Sequence, residues 1–314
     1  MSTPTFVGLD VARDHIDVAL HPTDRAFRVS HDVRGLAQLV EELRATGPTL
    51  AVLEATGGLE TDVAAALAVA DVPVAIINPR QVRDFAKALG RLAKTDTIDA
   101  KVLALFAARV QPTPRALPDE ARQALVALVT RRRQLVEMHT AEHNRLKRAR
   151  STTHRDLRQH LRWLERHLRD LDRELAQLIR HTPLWHAQER LLRSVPGIGP
   201  ITAAVVIAQL PELGQLTRRQ IASLVGCAPL NRDSGRFRGP RATWGGRAAV
   251  RQPLYMATLV ATQWNPVIRR FYQRLCAAGK HRKVARIAAM RKLLTILNAI
   301  FKYQRPWSPV SVDS

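Results

Sequence analysis

The chain has 314 residues, 49 Lys+Arg against 27 Asp+Glu, and a formal net charge of +22. That length suits two domains, an apolar fraction of 46% excludes wholesale disorder, and no apolar run reaches the roughly 18 residues that span a membrane. Two cysteines, Cys227 and Cys276, make neither a disulfide framework nor a Cys-rich zinc site. The N-terminus lacks the basic stretch and apolar core of a secretory signal, so a reducing cytoplasm is expected.

The charge is unevenly placed. Residues 1–115 hold 13 basic and 14 acidic side chains, residues 116–180 hold 15 and 9, and residues 181–314 hold 21 and 4. A GC-rich genome explains Arg over Lys but not the scarcity of acids in the last part. A near-neutral first part with a cationic remainder points to a polyanion, normally nucleic acid.

The first 110 residues alternate strand and helix patterns. Residues 5–10, 15–21, 26–32, 49–54 and 72–77 read as strands. Residues 33–46, 59–70, 81–89 and about 97–110 read as helices. Three leading strands followed by helix-strand-helix-strand-helix predict a mixed sheet covered by helices. Gln111-Pro112-Thr113-Pro114 breaks the pattern and sets a boundary near residue 115. Beyond it, Leu157, Leu161, Leu164, Leu168, Leu171, Leu175 and Leu178 step by four and three, a heptad seam about 32 Å long. An earlier helix over about residues 120–150 could cover the seam as an antiparallel hairpin, and a second chain could do so equally well. Residues 181–183 mark the next boundary. The domains are therefore 1–115, α/β; 116–182, a helical coiled coil; and 183–314, mainly helical with a Gly/Arg-rich loop over about 227–246.

Four acids stand out. Asp10 and Glu54 end apolar strands, and Asp96 and Asp99 sit three apart on one helical face. A carboxylate at the end of an apolar strand is costly to desolvate unless paired or metal-bound. Convergent carboxylates repel one another, and a hard divalent cation such as Mg²⁺ or Mn²⁺ removes the repulsion and can align a phosphodiester. Singly, each has a plainer reading: a helix start for Asp96 and Asp99, a backbone contact for Asp10, a solvated carboxylate for Glu54. Together their order is that of an RNase H-like site.

In Ser194-Val195-Pro196-Gly197-Ile198-Gly199-Pro200, Gly197 and Gly199 leave backbone N–H groups open at a helix start. That suits a phosphate cradle of helix-hairpin-helix type, or a plain tight turn. Ser234 lies among Arg232, Arg236, Arg238 and Arg241. The bare chemistry favours phosphate contact by a basic loop over nucleophilic attack by the serine, and no His–Asp partner is recognisable nearby. His139 and His143, at i and i+4, read as a solvated helix face.

Taken together, Gly8-Leu9-Asp10-Val11-Ala12, Leu53-Glu54-Ala55-Thr56-Gly57, Ile77-Asn78-Pro79, Lys94 to Ala100, Val195 to Gly199, Gly226-Cys227-Ala228-Pro229, Asp233-Ser234-Gly235 and Arg251 to Met256 resemble the insertion-sequence-110 family of DEDD transposases, the bridge-RNA-guided recombinases. The resemblance runs from about residue 5 to residue 304. It implies a RuvC-like, RNase H-like first domain, a coiled coil and a helical C-terminal transposase domain. It also implies Mg²⁺ on Asp10, Glu54, Asp96 and Asp99, attack of Ser234 on DNA to give a phosphoserine intermediate, and DNA contacts that include Arg247 and Arg251. Implied partners are donor and target DNA, a structured bridge RNA, and further copies of the chain as a dimer and as a tetramer that is a dimer of dimers. The implied location is the bacterial nucleoid. Trp244 stands where relatives often carry serine or lysine before the glycine, which leaves the local DNA contacts open. A metal-dependent, structure-specific nuclease is the rival activity and needs no serine. A non-catalytic nucleic-acid binder is a third reading, against which the intact acids and Ser234 count.

Overall fold

The computed structural model describes residues 4–90, 96–114, 119–231, 233–234, 237–239 and 241–309, with the backbone alone for residues 96–98, 234, 237 and 238. The chain divides into two compact units, Met1–Pro118 and Asp119–Ser314.

The first unit runs β1 (Phe6–Val11), β2 (His15–His21), β3 (Ala26–Ser30), α1 (Val33–Thr46), β4 (Leu50–Glu54), α2 (Glu60–Val69), β5 (Val74–Ile77), α3 (Pro79–Ala88) and α4 (Asp96–Val110). The sheet order is β3-β2-β1-β4-β5. β1 is antiparallel to β2 and parallel to β4, and β4 is parallel to β5. This is the expected RNase H-like sheet. Strand alternation divides its core. Val7, Leu9 and Leu53 join Leu39 and Leu43 of α1 and Val63 and Leu67 of α2 on one face. Phe6 and Val52 join Val82 of α3 and Leu103 and Phe106 of α4 on the other. Full burial of each such Leu contributes about 1.5–3 kcal/mol. Helix α3 starts two residues before its predicted position. Asn78 caps it through the Arg80 N–H at 2.9 Å, and Pro79 suits the first helical turn.

The second unit holds α5 (Glu120–Arg148), α6 (His154–His181), α7 (Pro183–Arg193), α8 (Pro200–Gln209) and α9 (Arg218–Val225). After four two-residue strands come α10 (Ala248–Trp264), α11 (Pro266–Ala277) and α12 (Arg282–Tyr303). Helices α5 and α6 pair within the chain. Arg132 meets Asp172, His139 meets Glu165 at 3.4 Å and His160 meets Glu142 at 3.6 Å, an antiparallel register. Of the leucine seam, Leu161, Leu164 and Leu175 are buried and the other four are half-buried. The open end of the hairpin is built into the C-terminal core: Leu125, Val129, Leu175 and Ile179 share a cluster with Leu192, Ile221, Leu254 and Leu293. Residues 119–309 thus fold around a common core that spans the boundary expected near residue 182. No helix among the described residues is long and apolar enough to cross a membrane.

Candidate active site

Asp10 and Glu54 each stand one residue beyond Leu9↔Leu53, the last registered pair of the parallel strands β1 and β4. Both are half-buried. By alternation they share the face of Phe6 and Val52, the face that α4 covers. Gly8 explains how α4 comes so close. A Cβ there would lie 2.1 Å from the Ala100 carbonyl oxygen and 2.2 Å from the Ala104 nitrogen, so only glycine lets the helix rest on β1. Ala100 and Ala104 also cluster with Ala19, the cross-strand partner of Gly8. Phe106, later in α4, belongs to the cluster at the start of β1 and β4. The helix therefore opens at the end of the sheet where Asp10 and Glu54 stand. Asp99 is half-buried in its first turn and Asp96 is its first residue; the Asp96 side chain lies outside the described residues.

Two features of this site were not anticipated. Asp17 on β2 is directly opposite Asp10 and only 6% exposed. Arg28 on β3, opposite Asp17 in turn, donates to its two oxygens from Nε at 2.9 Å and Nη2 at 2.8 Å. This ion pair neutralises the carboxylate nearest Asp10 in the sheet. Glu60 organises the loop after Glu54. Its Oε2 accepts from the Thr56 N–H and hydroxyl, both at 3.0 Å, and from the Gly58 N–H at 2.8 Å. Burial pushes the Glu60 carboxyl up, but hydrogen bonds from its own N–H, Gly58 and Thr56 outweigh burial and hold it below the ordinary carboxylate range. An acid in an alternating strand and an acid in a first helical turn look ordinary in sequence, which is why neither was singled out.

All these donors are hard oxygens, the set that Mg²⁺ and Mn²⁺ prefer. Among the described residues, no three His, Cys, Asp or Glu side chains form a group able to hold a metal ion. The side chains of Asp10, Glu54 and Asp99, though at the same end of the sheet, are therefore not gathered into a metal site by themselves, and that of Asp96 lies outside the described residues.

Ser234 belongs to a β-ribbon in place of the expected irregular loop. β6 (Pro229–Leu230) pairs antiparallel with β9 (Ala242–Thr243), and between them β7 (Asp233–Ser234) pairs with β8 (Phe237–Arg238). Its base is clasped backbone to backbone. A Cβ on Gly226 (φ +77) would lie 2.1 Å from the Gly245 carbonyl oxygen, and one on Gly246 (φ +68) would lie 2.2 Å from the Gly226 nitrogen. Arg251 fastens the clasp, donating to the carbonyls of Val225 at 3.1 Å and Gly245 at 2.5 Å. Arg247 donates to both Glu212 oxygens, at 2.7 and 2.6 Å, and to the Gln209 carbonyl at 2.8 Å. Both guanidinium groups are thus committed inside the fold. Cys227, buried beside the clasp, has its thiol pushed up to about 11 by burial and stays protonated.

Of the other predicted contacts, Arg241 is exposed and Trp244 is 61% exposed beside the ribbon. Arg232 and Arg236 lie outside the described residues, as do the side chains of Ser234 and Arg238. Gly197 is used in packing: a Cβ there would sit 2.7 Å from that of Ala261 on α10. Gly199 faces open space at the start of α8.

Two family models match this chain. The DEDD transposase model of IS110 type matches residues 7–162, and that of the transposase IS116/IS110/IS902 family matches residues 189–273. Among curated relatives, the pilin gene-inverting proteins of Moraxella lacunata and Moraxella bovis are each 29% identical over 317 residues, covering 96% of this chain and 97% of theirs. Among solved structures, T. thermophilus RuvC in complex with a Holliday junction substrate is 19% identical with a TM-score of 0.27, over 37% of this chain and 100% of that one.

Proposed function

This chain belongs to the IS110 family of transposases, a DNA recombinase with an RNase H-like domain, and on that premise we propose that it cuts and rejoins DNA through a covalent phosphoserine at Ser234, with a bridge RNA selecting target and donor DNA. One observation carries the reading. Two strand-end carboxylates stand side by side on parallel strands, and a helix that only Gly8 admits opens over them with two more acids.

Domains of the DEDD type generally use divalent metals, and Mg²⁺ or Mn²⁺ held by Asp10, Glu54, Asp96 and Asp99 would offset phosphate charge and lower the pKa of the attacking hydroxyl. Binding the metal would require Asp96 and the substrate phosphate to join Asp10, Glu54 and Asp99, which do not form a metal-holding group alone. Ser234 Oγ forms its bond to the scissile phosphorus as the bond to the leaving deoxyribose oxygen breaks, and that oxygen takes up a proton. Attack by an incoming deoxyribose hydroxyl reverses these changes, frees Ser234 and rejoins the strand. Arg232, Arg236, Arg238 and Arg241 offset phosphate charge, while Arg247 and Arg251 hold the base of the ribbon in position. The Gly199 turn adds backbone N–H contacts to phosphate.

The acids and the serine belong to different compact units. A dimer, then a tetramer built as a dimer of dimers, would join the acids of one protomer to the serine of another, so that the unassembled chain leaves DNA intact. A strand-exchange assay with donor, target and bridge RNA tests this. Asp10→Ala, Glu54→Ala and Ser234→Ala should each abolish product and retain nucleic-acid binding, and an altered guide should redirect the product. Cleavage by Ser234→Ala at the wild-type rate would replace this reading with a hydrolytic nuclease, and a target that persists under a new guide would remove the RNA.

A further inference from the structure

The C-terminal unit contains a cavity of about 730 Å³, of whose lining the chemistry above uses Arg241 alone. Five cationic side chains line it, those of Arg218, Arg219, Arg241, Arg291 and Lys292. No carboxylate is among its described lining residues, and none of the five is ion-paired with a described carboxylate. Its other wall is apolar: Phe271 from α11 with Val284, Ile287 and Ala288 from α12. A smaller cavity of about 210 Å³ shares Phe271 and Lys292 with the first and adds Arg270 and Arg274. The ammonium of Lys292 lies 5.0 Å from the Phe271 ring centroid and the guanidinium of Arg274 lies 5.3 Å from it. Among the described residues, seven positive groups thus surround two adjoining hollows. Concave, low-dielectric walls of one sign focus the field and favour an anion.

The shape restricts which anion. Inorganic phosphate would leave the apolar wall of a 730 Å³ hollow wet. A duplex is too wide to enter. One unpaired nucleotide satisfies both halves, with its phosphate toward the cations and its base against an aromatic and aliphatic wall. The position adds a third argument. Pro229, Ala242 and Thr243, from the outer strands of the serine ribbon, form part of the rim.

We propose that this cavity receives a single unpaired nucleotide of a strand engaged by the ribbon, held by Arg218, Arg219 and Arg241 on its phosphate side and by Phe271 and Ile287 on its base side. The proposal rests on the reading of the ribbon as a DNA-engaging element and adds the unit it grips. A nucleotide drawn out of its duplex beside the cut strand would fix the register of the scissile phosphate. DNA and RNA strands both carry the required chemistry, so both are tested.

The test uses the full chain and oligonucleotides carrying 2-aminopurine, whose fluorescence reports stacking, as single-stranded DNA, single-stranded RNA and fully paired DNA. Wild type should change the fluorescence of at least one single strand. Arg219→Ala, at an exposed position, and Ile287→Gln, at the apolar wall, should each weaken that single strand by about tenfold. Both variants should bind paired DNA within about twofold of wild type. A loss confined to DNA identifies the cut strand as the source, a loss confined to RNA identifies the guide, and a loss in both is general nucleotide recognition. Equal losses for single-stranded and paired DNA, or no loss, overturn the pocket. The Ser234 adduct, measured in parallel, is independent. An adduct with no pocket-dependent strand binding removes the pocket alone, and pocket-dependent binding with no adduct removes the phosphoserine reading alone.

Discussion

Glu60 shows how one carboxylate outside the four-acid set can position one within it. Its Oε2 accepts three hydrogen bonds from the Thr56–Gly58 segment that follows Glu54 directly. Glu60→Gln keeps the shape but removes the charge, and should cost roughly 1–2 kcal/mol in denaturant unfolding. The pH dependence follows from the lowered pKa. Because the folded value lies below the unfolded one, this contribution is complete above about pH 4.5 and is lost as pH falls through the folded value. The gap in stability between wild type and Glu60→Gln should therefore close on acidification, and a constant gap from pH 7 to pH 3 would show that the charge is not what Glu60 supplies. Asp10 and Glu54 stood out in the sequence because an acid ends an otherwise apolar strand, and Asp96 and Asp99 because they sit three apart on one helical face. Asp17 and Arg28 were not. An alternating strand shows which residues share a face, but only the antiparallel register puts Asp17 opposite both Asp10 and Arg28.

Among the secondary-structure elements, the contact between β1 and α4 decides whether the acids share one end of the sheet. Gly8→Ala must push the helix away, since its Cβ would meet backbone at 2.1 and 2.2 Å. Overpacking of this kind costs about 1–3 kcal/mol, and more where backbone has to move. Gly8→Ala should lower the melting temperature of the first unit and reduce strand exchange more than it reduces nucleic-acid binding. Unchanged activity would mean that the seat of α4 does not set the acids. Sequence periodicity located the strands and helices of the first unit, and α5, to within two residues, because each carries its own apolar face, but it set no bounds for the helices beyond residue 183. It could not give the strand order, which depends on the crossovers, nor the ribbon, whose pairing depends on Gly226 and Gly246 approaching each other some twenty positions apart. The leucine seam was legible as a covered stripe, but its partner was not. Arg132 with Asp172 and His160 with Glu142 identify α5 as that partner.

At the scale of the whole molecule, charge and fold divide at nearly the same place. Residues 116–314 carry 36 basic and 13 acidic side chains, against 13 and 14 before them. Affinity for DNA and RNA should therefore reside in the second unit and fall steeply with salt, with a slope of about −0.9 in log K against log salt for each duplex phosphate neutralised. Binding that is insensitive to salt in a titration would contradict this electrostatic account. The central claim, however, is covalent. Wild-type protein mixed with bridge RNA, divalent metal and a nicked substrate that stalls rejoining should yield a protein–DNA adduct stable to denaturing electrophoresis. Digestion and mass spectrometry should place the nucleotide on the peptide containing Ser234, and Ser234→Ala should yield no adduct while still binding DNA. An adduct that maps to another residue, or that survives Ser234→Ala, would contradict the account.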